Sequence, residues 1–309
     1  MIELSDLTRR FGEQTAVDGL SFEVAEGELF GLVGPDGAGK TTTLRMLAGV
    51  LRPSAGDAVL AGVSMAREPE RAKPRIAYMS QRFGLYGDLT VLENLHFYAD
   101  VYRMPRGERD ERLERLFDFS GLGPFRERLA GRLSGGMKQK LGLSCALVHR
   151  PDVLLLDEPT FGVDPVSRRE LWLIVHEMVA EGVTAVVSTA YLDEAERFDR
   201  LALLHEGRLL ALDTPDALQG AFPGEVLRVS VEDPRRGRDA AESLVAVRRA
   251  TVFGDRLHLT VASAEEAAPA VERALRDAGA GPSGLRAMPP SLEDVFIQRI
   301  AGWKSEAAP

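Results

Sequence analysis

Short runs of apolar residues that do not alternate with polar ones recur along the first two thirds of the chain, at Leu29–Val33 and at residues 153–156 and 183–187. Such runs predict strands covered on both faces, as in a mostly parallel sheet. Between them, apolar positions recur at helical spacing over residues 40–48, 91–102, 108–119, 134–148 and 165–179. Alternating strands and helices predict a layered α/β domain. Ahead of these, residues 2–8 and 20–24 read as strands of a small antiparallel layer.

The pattern changes after about Gly220. Phe222-Pro223-Gly224 reads as a linker, residues 226–231 as a strand and residues 239–245 as a helix. Two further strands, at residues 250–253 and Arg256–Val261, flank Gly254-Asp255, a hairpin-type turn. In the second, Leu257, Leu259 and Val261 alternate with Arg256, His258 and Thr260. Ser263 and Glu266 form a capping-box pattern ahead of the helical stripe Ala267, Ala268, Val271, Ala274, Leu275 and Ala278. A strand at residues 285–288 completes a βαββαβ order, the split βαβ or ferredoxin-like arrangement. Ser291 then caps a last helix with Leu292, Val295, Phe296 and Ile300 on one face.

Length and composition fit this division. The 309 residues accommodate a large domain over residues 1–220 and a small α+β accessory domain over residues 221–309. With 45% hydrophobic and 28% charged residues the composition is that of an ordinary globular protein. No window approaches the roughly 18 uninterrupted apolar residues of a membrane span. The first residues, Met1 to Asp6, lack the basic and apolar regions of a signal peptide, so a cytoplasmic location is expected. Cys145 is the one cysteine, which excludes an intrachain disulfide. The net charge of −9 opposes attraction to nucleic acid or to anionic lipid. Nearly all the basic residues are arginine, which makes the position of each lysine informative.

One of those lysines closes the sequence Gly34-Pro35-Asp36-Gly37-Ala38-Gly39-Lys40-Thr41, followed by Thr42. This is G-x-x-x-x-G-K-[ST] in full, placed after a predicted strand and at the start of a predicted helix. The glycines let backbone N–H groups point inward at phosphate oxygens, and the helix N-terminus adds a favourable dipole. Lys40 supplies a point charge for the β and γ phosphates, and the Thr41 hydroxyl is a ligand for Mg²⁺. The strand at residues 153–156 ends in Asp157-Glu158. Strands of such sheets deliver polar side chains to the carboxyl edge, where ligands bind. Asp157 would hold Mg²⁺ through water and Glu158 would polarise the attacking water. Taken alone, a strand ending in acids is common.

Leu133-Ser134-Gly135-Gly136-Met137-Lys138-Gln139-Lys140, upstream of Asp157-Glu158-Pro159-Thr160, closely resembles the signature of ABC transporter ATPases. The resemblance covers about residues 1–220. It implies a P-loop NTPase fold that binds ATP and Mg²⁺. It implies that Tyr78-Met79-Ser80-Gln81 is the Q-loop, with Gln81 contacting metal and water, and that Gly162-Val163-Asp164-Pro165 is the D-loop, with Asp164 at a dimer interface. Phe11 occupies the position of an aromatic residue that stacks on adenine. A phenylalanine beside an early strand also fits a core position, and stacking of about 1–3 kcal/mol tolerates any base, so GTP is not excluded. Ser134, Gly135 and Gly136 open a helix whose N–H groups can face an anion. In the family they face the nucleotide of a second cassette, so ATP is held between two subunits. Taken alone, the same residues read as a helix cap with a flexible turn.

The stretch Phe83-Gly84-Leu85-Tyr86-Gly87-Asp88-Leu89-Thr90-Val91-Leu92-Glu93-Asn94 and the tail Ser291-Leu292-Glu293-Asp294-Val295-Phe296 are similar to those of ABC-2 type exporter ATPases, drug-efflux members included. That likeness implies a motor subunit attached to the cytoplasmic face of the cell membrane through a separate permease. Phe83, Leu85, Tyr86, Leu89, Val91, Leu95, Phe97 and Tyr98 give residues 81–102 the apolar character of a docking surface, though some must be core.

One position departs from the family. A histidine that contacts the γ-phosphate normally follows the strand after the D-loop, and here Val187-Ser188-Thr189 is followed by Ala190. His96, His149, His176, His205 and His258 have no evident claim to that role. Loss of one transition-state hydrogen bond costs about 10²–10³ in rate. Slow hydrolysis by Glu158 alone, pairing with a better-equipped cassette, a substitute group or water, and an engineered change at Ala190 each account for the difference. Two further readings of function stay open: a catalytically weakened regulatory partner in a mixed dimer, and a soluble non-transport ABC ATPase. The second expects tandem cassettes or a long coiled coil with a basic surface, none of which the sequence contains. The small domain offers no chemistry, Glu232-Asp233-Pro234 reading as an acidic turn, and dimer contact or regulation is its expected role.

Overall fold

The structure is a computed structural model that describes residues 1–81 and 84–306, with side chains described through residue 303. The chain divides into two compact units, Met1–Thr214 and Pro215–Pro309.

The first unit contains two sheets. Strands β1 (Ile2–Phe11), β2 (Gln14–Val24), β4 (Ala55–Leu60) and β5 (Val63–Ser64) form an antiparallel layer in the order β2-β1-β4-β5. The second sheet has six strands. They are β3 (Leu29–Val33), β6 (Ile76–Met79), β7 (Val153–Asp157), β8 (Thr184–Thr189), β9 (Arg200–His205) and β10 (Arg208–Asp213), in the order β10-β9-β3-β8-β7-β6. All its pairings are parallel except β9 with β10. Every residue of β3, β7 and β8 is buried, which is why their sequences do not alternate.

The helices of this unit are α1 (Lys40–Leu47), the short α2 (Pro69–Ala72), α3 (Val91–Val101), α4 (Arg106–Ser120), α5 (Gly135–Leu147) and α6 (Pro165–Ala180). Leu44, Met46 and Leu47 of α1 share one core with residues of both sheets, among them Leu4, Leu20, Phe30 and Leu155. Helix α3 starts in a full capping box between Thr90 and Glu93.

The second unit opens with α7 (Pro215–Gly220), so helix precedes the stretch read as a linker, and Phe222 within that stretch is buried. It continues as β11 (Glu225–Ser230), α8 (Pro234–Glu242), β12 (Val247–Phe253), β13 (Arg256–Val261), α9 (Ala264–Asp277), β14 (Ser283–Met288) and α10 (Leu292–Glu306). The sheet order β12-β13-β11-β14, antiparallel throughout, is the ferredoxin-like arrangement expected from the βαββαβ order. Helix α8 departs from the expected residues 239–245. It starts five residues earlier because the Asp233 side chain accepts from the Arg236 N–H and Pro234 occupies the first turn. The acidic turn is thus a helix cap, and Val245 lies fully exposed beyond the helix.

His149 is a partly buried titratable group of the first unit. Its ring lies on Tyr102, with centroids 3.6 Å apart and planes 11° apart, and its Nε2 is 3.2 Å from the Ile76 carbonyl oxygen. Burial first, and the cation of Arg112 last, pull its pKa down to about 4, against the backbone hydrogen bond that raises it. The neutral ring therefore donates from Nε2. In the unfolded chain the same ring titrates near 6.5, so between about pH 6.5 and 4 the unfolded state takes up a proton that the native state refuses. This stability is fully present above pH 6.5, is lost as pH falls, and stops changing below about 4; its full extent is up to about 3 kcal/mol. His149→Phe, which retains the stack, is expected to lose less stability than wild type between pH 7 and pH 4.5 in urea unfolding. Equal losses in the two proteins would contradict the assignment.

Candidate functional site

The phosphate loop joins β3 to α1, and its conformation follows from close packing. Gly39 has φ of 97°, and a Cβ there would stand 2.6 Å from the Ala16 carbonyl oxygen, so neither backbone nor space admits a side chain. Lys40, the first residue of α1, is buried, and its Nζ donates to the carbonyl oxygens of Gly34 at 2.7 Å and Pro35 at 3.1 Å. The first N–H groups of any helix lack partners within it, and those of α1 open the loop side of the site.

The end of one strand brings two carboxylates to this loop. Asp157, the last residue of β7, is buried. Its Oδ1 accepts from the Thr41 hydroxyl at 2.9 Å and the Ser188 hydroxyl at 2.8 Å, and its Oδ2 lies 3.4 Å from the Tyr78 hydroxyl. Burial, and after it the Asp157 charge, push Tyr78 up to about 12, so that hydroxyl remains a donor. Glu158 follows with φ of 49°, a left-handed conformation that costs a non-glycine residue of order 1–3 kcal/mol. Its N–H is held by the Ser188 hydroxyl at 3.0 Å and the Ser188 carbonyl oxygen at 3.2 Å. Its carboxylate lies 3.2 Å from Lys40 Nζ through Oε1 and accepts from Gln81 Nε2 at 3.2 Å through Oε2.

Lys40, Gln81 and Glu158 line one open cleft of about 620 Å³, together with Phe11, Asp36, Gly37, Ala38, Gly39, Thr41 and Thr42, while Asp157 lies buried behind Thr41. Phe11 is 47% exposed at the end of β1, with the Arg9 guanidinium 4.5 Å above its ring, so it is not a core residue. Gln14, Thr15, Ala16 and Glu206 also line the cleft. They and Ser188 went unnoticed in the sequence because they belong to no motif; Ser188 is one position from Thr189 on a strand whose importance the pattern does reveal.

The remaining sequence-identified residues lie outside the cleft lining. Ser134 and Gly135 are exposed at the start of α5, where the Ser134 hydroxyl accepts from the Met137 N–H at 3.3 Å. Gly136 is buried, and a Cβ there would overlap the Ser167 side chain, so glycine permits the start of α5 to rest on α6. Asp164 caps α6 by accepting from the N–H groups of Val166 at 3.1 Å and Ser167 at 3.0 Å. The hydrogen bonds from Ser167, then from Val166, hold its carboxyl below the usual range. Ala190 is exposed at the end of β8, and none of the histidines lines the cleft.

The apolar stretch divides into core and surface. Val91 and Leu95 are buried, whereas Tyr86 and Phe97 are exposed and meet edge to face at 4.6 Å. Val101 and Tyr102 continue that exposed face. Phe83 lies outside the described residues. Among the described residues no helix is long and apolar enough to cross a membrane.

Residues 17–161 match the family model for ABC transporters. The chain is 43% identical over 314 residues to the probable multidrug ABC transporter ATP-binding protein YbhF of Escherichia coli (strain K12); the match takes in all of this chain and 54% of that protein. The chain thus spans about half the length of that relative. It is 39% identical over 305 residues to the Nod factor export ATP-binding protein I of Paraburkholderia xenovorans (strain LB400), covering 97% of each chain. With the daunorubicin resistance ATP-binding protein DrrA2 of Streptomyces coeruleorubidus it shares 36% identity over 97% of this chain and 94% of the other. A solved ATP-binding subunit of an ABC transporter superposes with a TM-score of 0.65 at 32% identity, over 71% of this chain and 92% of that one. The dimeric ATP-binding cassette MJ0796, in a post-hydrolysis state with ADP and Pi, superposes with a TM-score of 0.63 at 25% identity, over 69% and 98%. The near full-length identity with the Nod factor export protein and the shared cassette fold carry one conclusion: the chain belongs to the family of ABC transporter ATP-binding proteins.

Proposed function

We propose that this chain is the ATP-hydrolysing motor subunit of an ABC-2 type exporter, working through a separate permease. The observation that carries this reading is the meeting in one cleft of Lys40, Thr41 and the Gln81–Glu158 pair, with buried Asp157 bound to Thr41. The names of the relatives, an export ATP-binding protein and a drug-resistance ATP-binding protein among them, support the exporter class.

The triphosphate of ATP would lie along residues 34–42, with backbone N–H groups and Lys40 balancing the β and γ charges. Phe11, exposed at the rim, would stack on the base. The oxygen donors of Thr41, Asp157 and Gln81 suit a hard cation, and these residues would hold Mg²⁺, whose charge when bound lowers the cost of crowding phosphate oxygens. Glu158 takes the proton of the attacking water as its oxygen bonds to the γ-phosphorus and the bond to the leaving ADP oxygen breaks. Gln81, bonded to Glu158, keeps that carboxylate facing the water. Ser134, Gly135 and Gly136 would close on the nucleotide of a second cassette, in a homodimer or a mixed dimer, with Asp164 beside that contact. The exposed face of Tyr86, Phe97, Val101 and Tyr102 would receive the permease and keep the chain at the cytoplasmic face of the membrane. Residues 221–309 would serve as an accessory domain for dimer contact or regulation.

Ala190 carries no group that reaches a γ-phosphate, and slow turnover follows. A catalytically weakened partner in a mixed dimer is the second reading that this residue favours.

Steady-state ATP hydrolysis by the purified chain with its permease is expected to fall by at least about a hundredfold in Glu158→Gln. Undiminished turnover in that variant would remove Glu158 from the mechanism. Restoring the missing donor with Ala190→His is expected to raise turnover by roughly tenfold or more. No change would show that another group already makes the contact.

A further inference from the structure

One carboxylate of the first unit is enclosed on all sides yet lies outside the cleft. Glu194, 2% exposed, sits in the short 3₁₀ helix Leu192–Arg197 that follows Ala190 and Tyr191. Its Oε2 accepts from the hydroxyls of Thr160 at 3.0 Å and Thr189 at 2.8 Å. Its Oε1 accepts from Trp172 Nε1 at 3.2 Å and faces Arg168 Nε at 3.7 Å. Burying a charge is costly, and well-packed apolar residues often replace such charges without loss. Stability alone therefore does not call for an acid here.

The donors explain the acid better. Thr160 stands two residues after Glu158, and Thr189 ends β8 directly before Ala190. Arg168 and Trp172 belong to α6, the helix that Asp164 caps and on whose Ser167 the glycine of the α5 start rests. One carboxylate thus binds the turn beyond Glu158, the end of β8 and α6. The Arg168 guanidinium adds a second grip, 4.8 Å above the Tyr191 ring and 3.9 Å from Asp193. Glu158 itself is held in a left-handed conformation, which persists only where surrounding contacts over-determine it. On its N-terminal side Asp157 and Ser188 supply that restraint; on its C-terminal side the Thr160–Glu194 bond does.

We propose that Glu194 is a positioning residue for hydrolysis, aiming the Glu158 carboxylate by tying the Glu158-Pro159-Thr160 turn and the Thr189-Ala190 step to α6. This rests on the reading of Glu158 as the group that activates water. It makes hydrolysis depend on the seating of α6, and through Gly136 and Ser167 on the start of α5, while leaving nucleotide binding at Lys40 and Thr41 untouched.

The test compares wild type, Glu194→Gln, Thr160→Val, Thr189→Val and Thr160→Ser in the full-length chain with its permease, reading kcat, KM for ATP, nucleotide affinity and melting temperature. Glutamine retains the shape but presents an NH₂ where one set of donors needs an acceptor. The expected result is a kcat lower by roughly tenfold to a hundredfold in Glu194→Gln, with KM and nucleotide affinity within about twofold of wild type. The valine variants fall in the same direction, and Thr160→Ser, which restores the hydroxyl, recovers the rate. Should Glu194→Gln fail to fold, the threonine variants decide. A folded Glu194→Gln with wild-type kcat overturns the positioning role, as do valine variants that lose affinity and melting temperature together with rate. Those results differ from turnover that survives Glu158→Gln, which removes the base on which the proposal rests.

Discussion

A carboxylate at the end of a fully buried strand must find its hydrogen bonds where the strand leaves it. Asp157 meets that requirement with the hydroxyls of Thr41, Ser188 and Tyr78, from α1, β8 and β6. Because its partners come from three elements, the phosphate loop cannot shift relative to the sheet without stranding a buried charge. Ser188 extends the constraint by one residue, since the same hydroxyl that donates to Asp157 accepts from the Glu158 N–H. The left-handed turn at Glu158, its pairing with Lys40 and its bond to Gln81 all follow from that fixed point.

The same packing separates two surfaces. The phosphate loop, Asp157 and Glu158 gather at the carboxyl edge of the six-stranded sheet, as binding groups of α/β folds do. The start of α5 is elsewhere, pinned to α6 where Gly136 meets Ser167. In the proposed function this separation is what makes the cassette a motor: each nucleotide needs the loop of one chain and the α5 start of another. Binding energy from the phosphates then becomes movement of whole subunits. On the same proposal, the exposed aromatic face at Tyr86 and Phe97 would offer that movement a route to a permease.

Much of this was legible in the sequence, and the reasons are physical. Strands buried on both faces leave continuous apolar runs, so Leu29–Val33 was read to the residue and β7 and β8 nearly so. The phosphate loop is legible because its backbone geometry demands glycine at fixed places, Gly39 above all. The ferredoxin-like unit was legible from hairpin and cap chemistry, Gly254-Asp255 and Ser263. The start of α8 was misread because Asp233-Pro234 serves as readily for a turn as for a cap. The stretch at residues 81–102 gave its apolar content but not its division, since Val91 and Phe97 differ only in which way their helix faces. Ser188 and Glu194 were invisible for another reason: a hydrogen bond between residues distant in sequence leaves no local pattern.

The claim most exposed to refutation is that two copies of this kind of surface meet over nucleotide. Sedimentation of the purified chain with a non-hydrolysable ATP analogue and Mg²⁺ tests it directly, with and without Ser134→Arg, which would crowd the α5 start. The account requires nucleotide-dependent association that the arginine abolishes while nucleotide still binds. Nucleotide bound at the loop with the chain monomeric at every concentration, both alone and with its permease and any cassette that co-purifies with it, would contradict it.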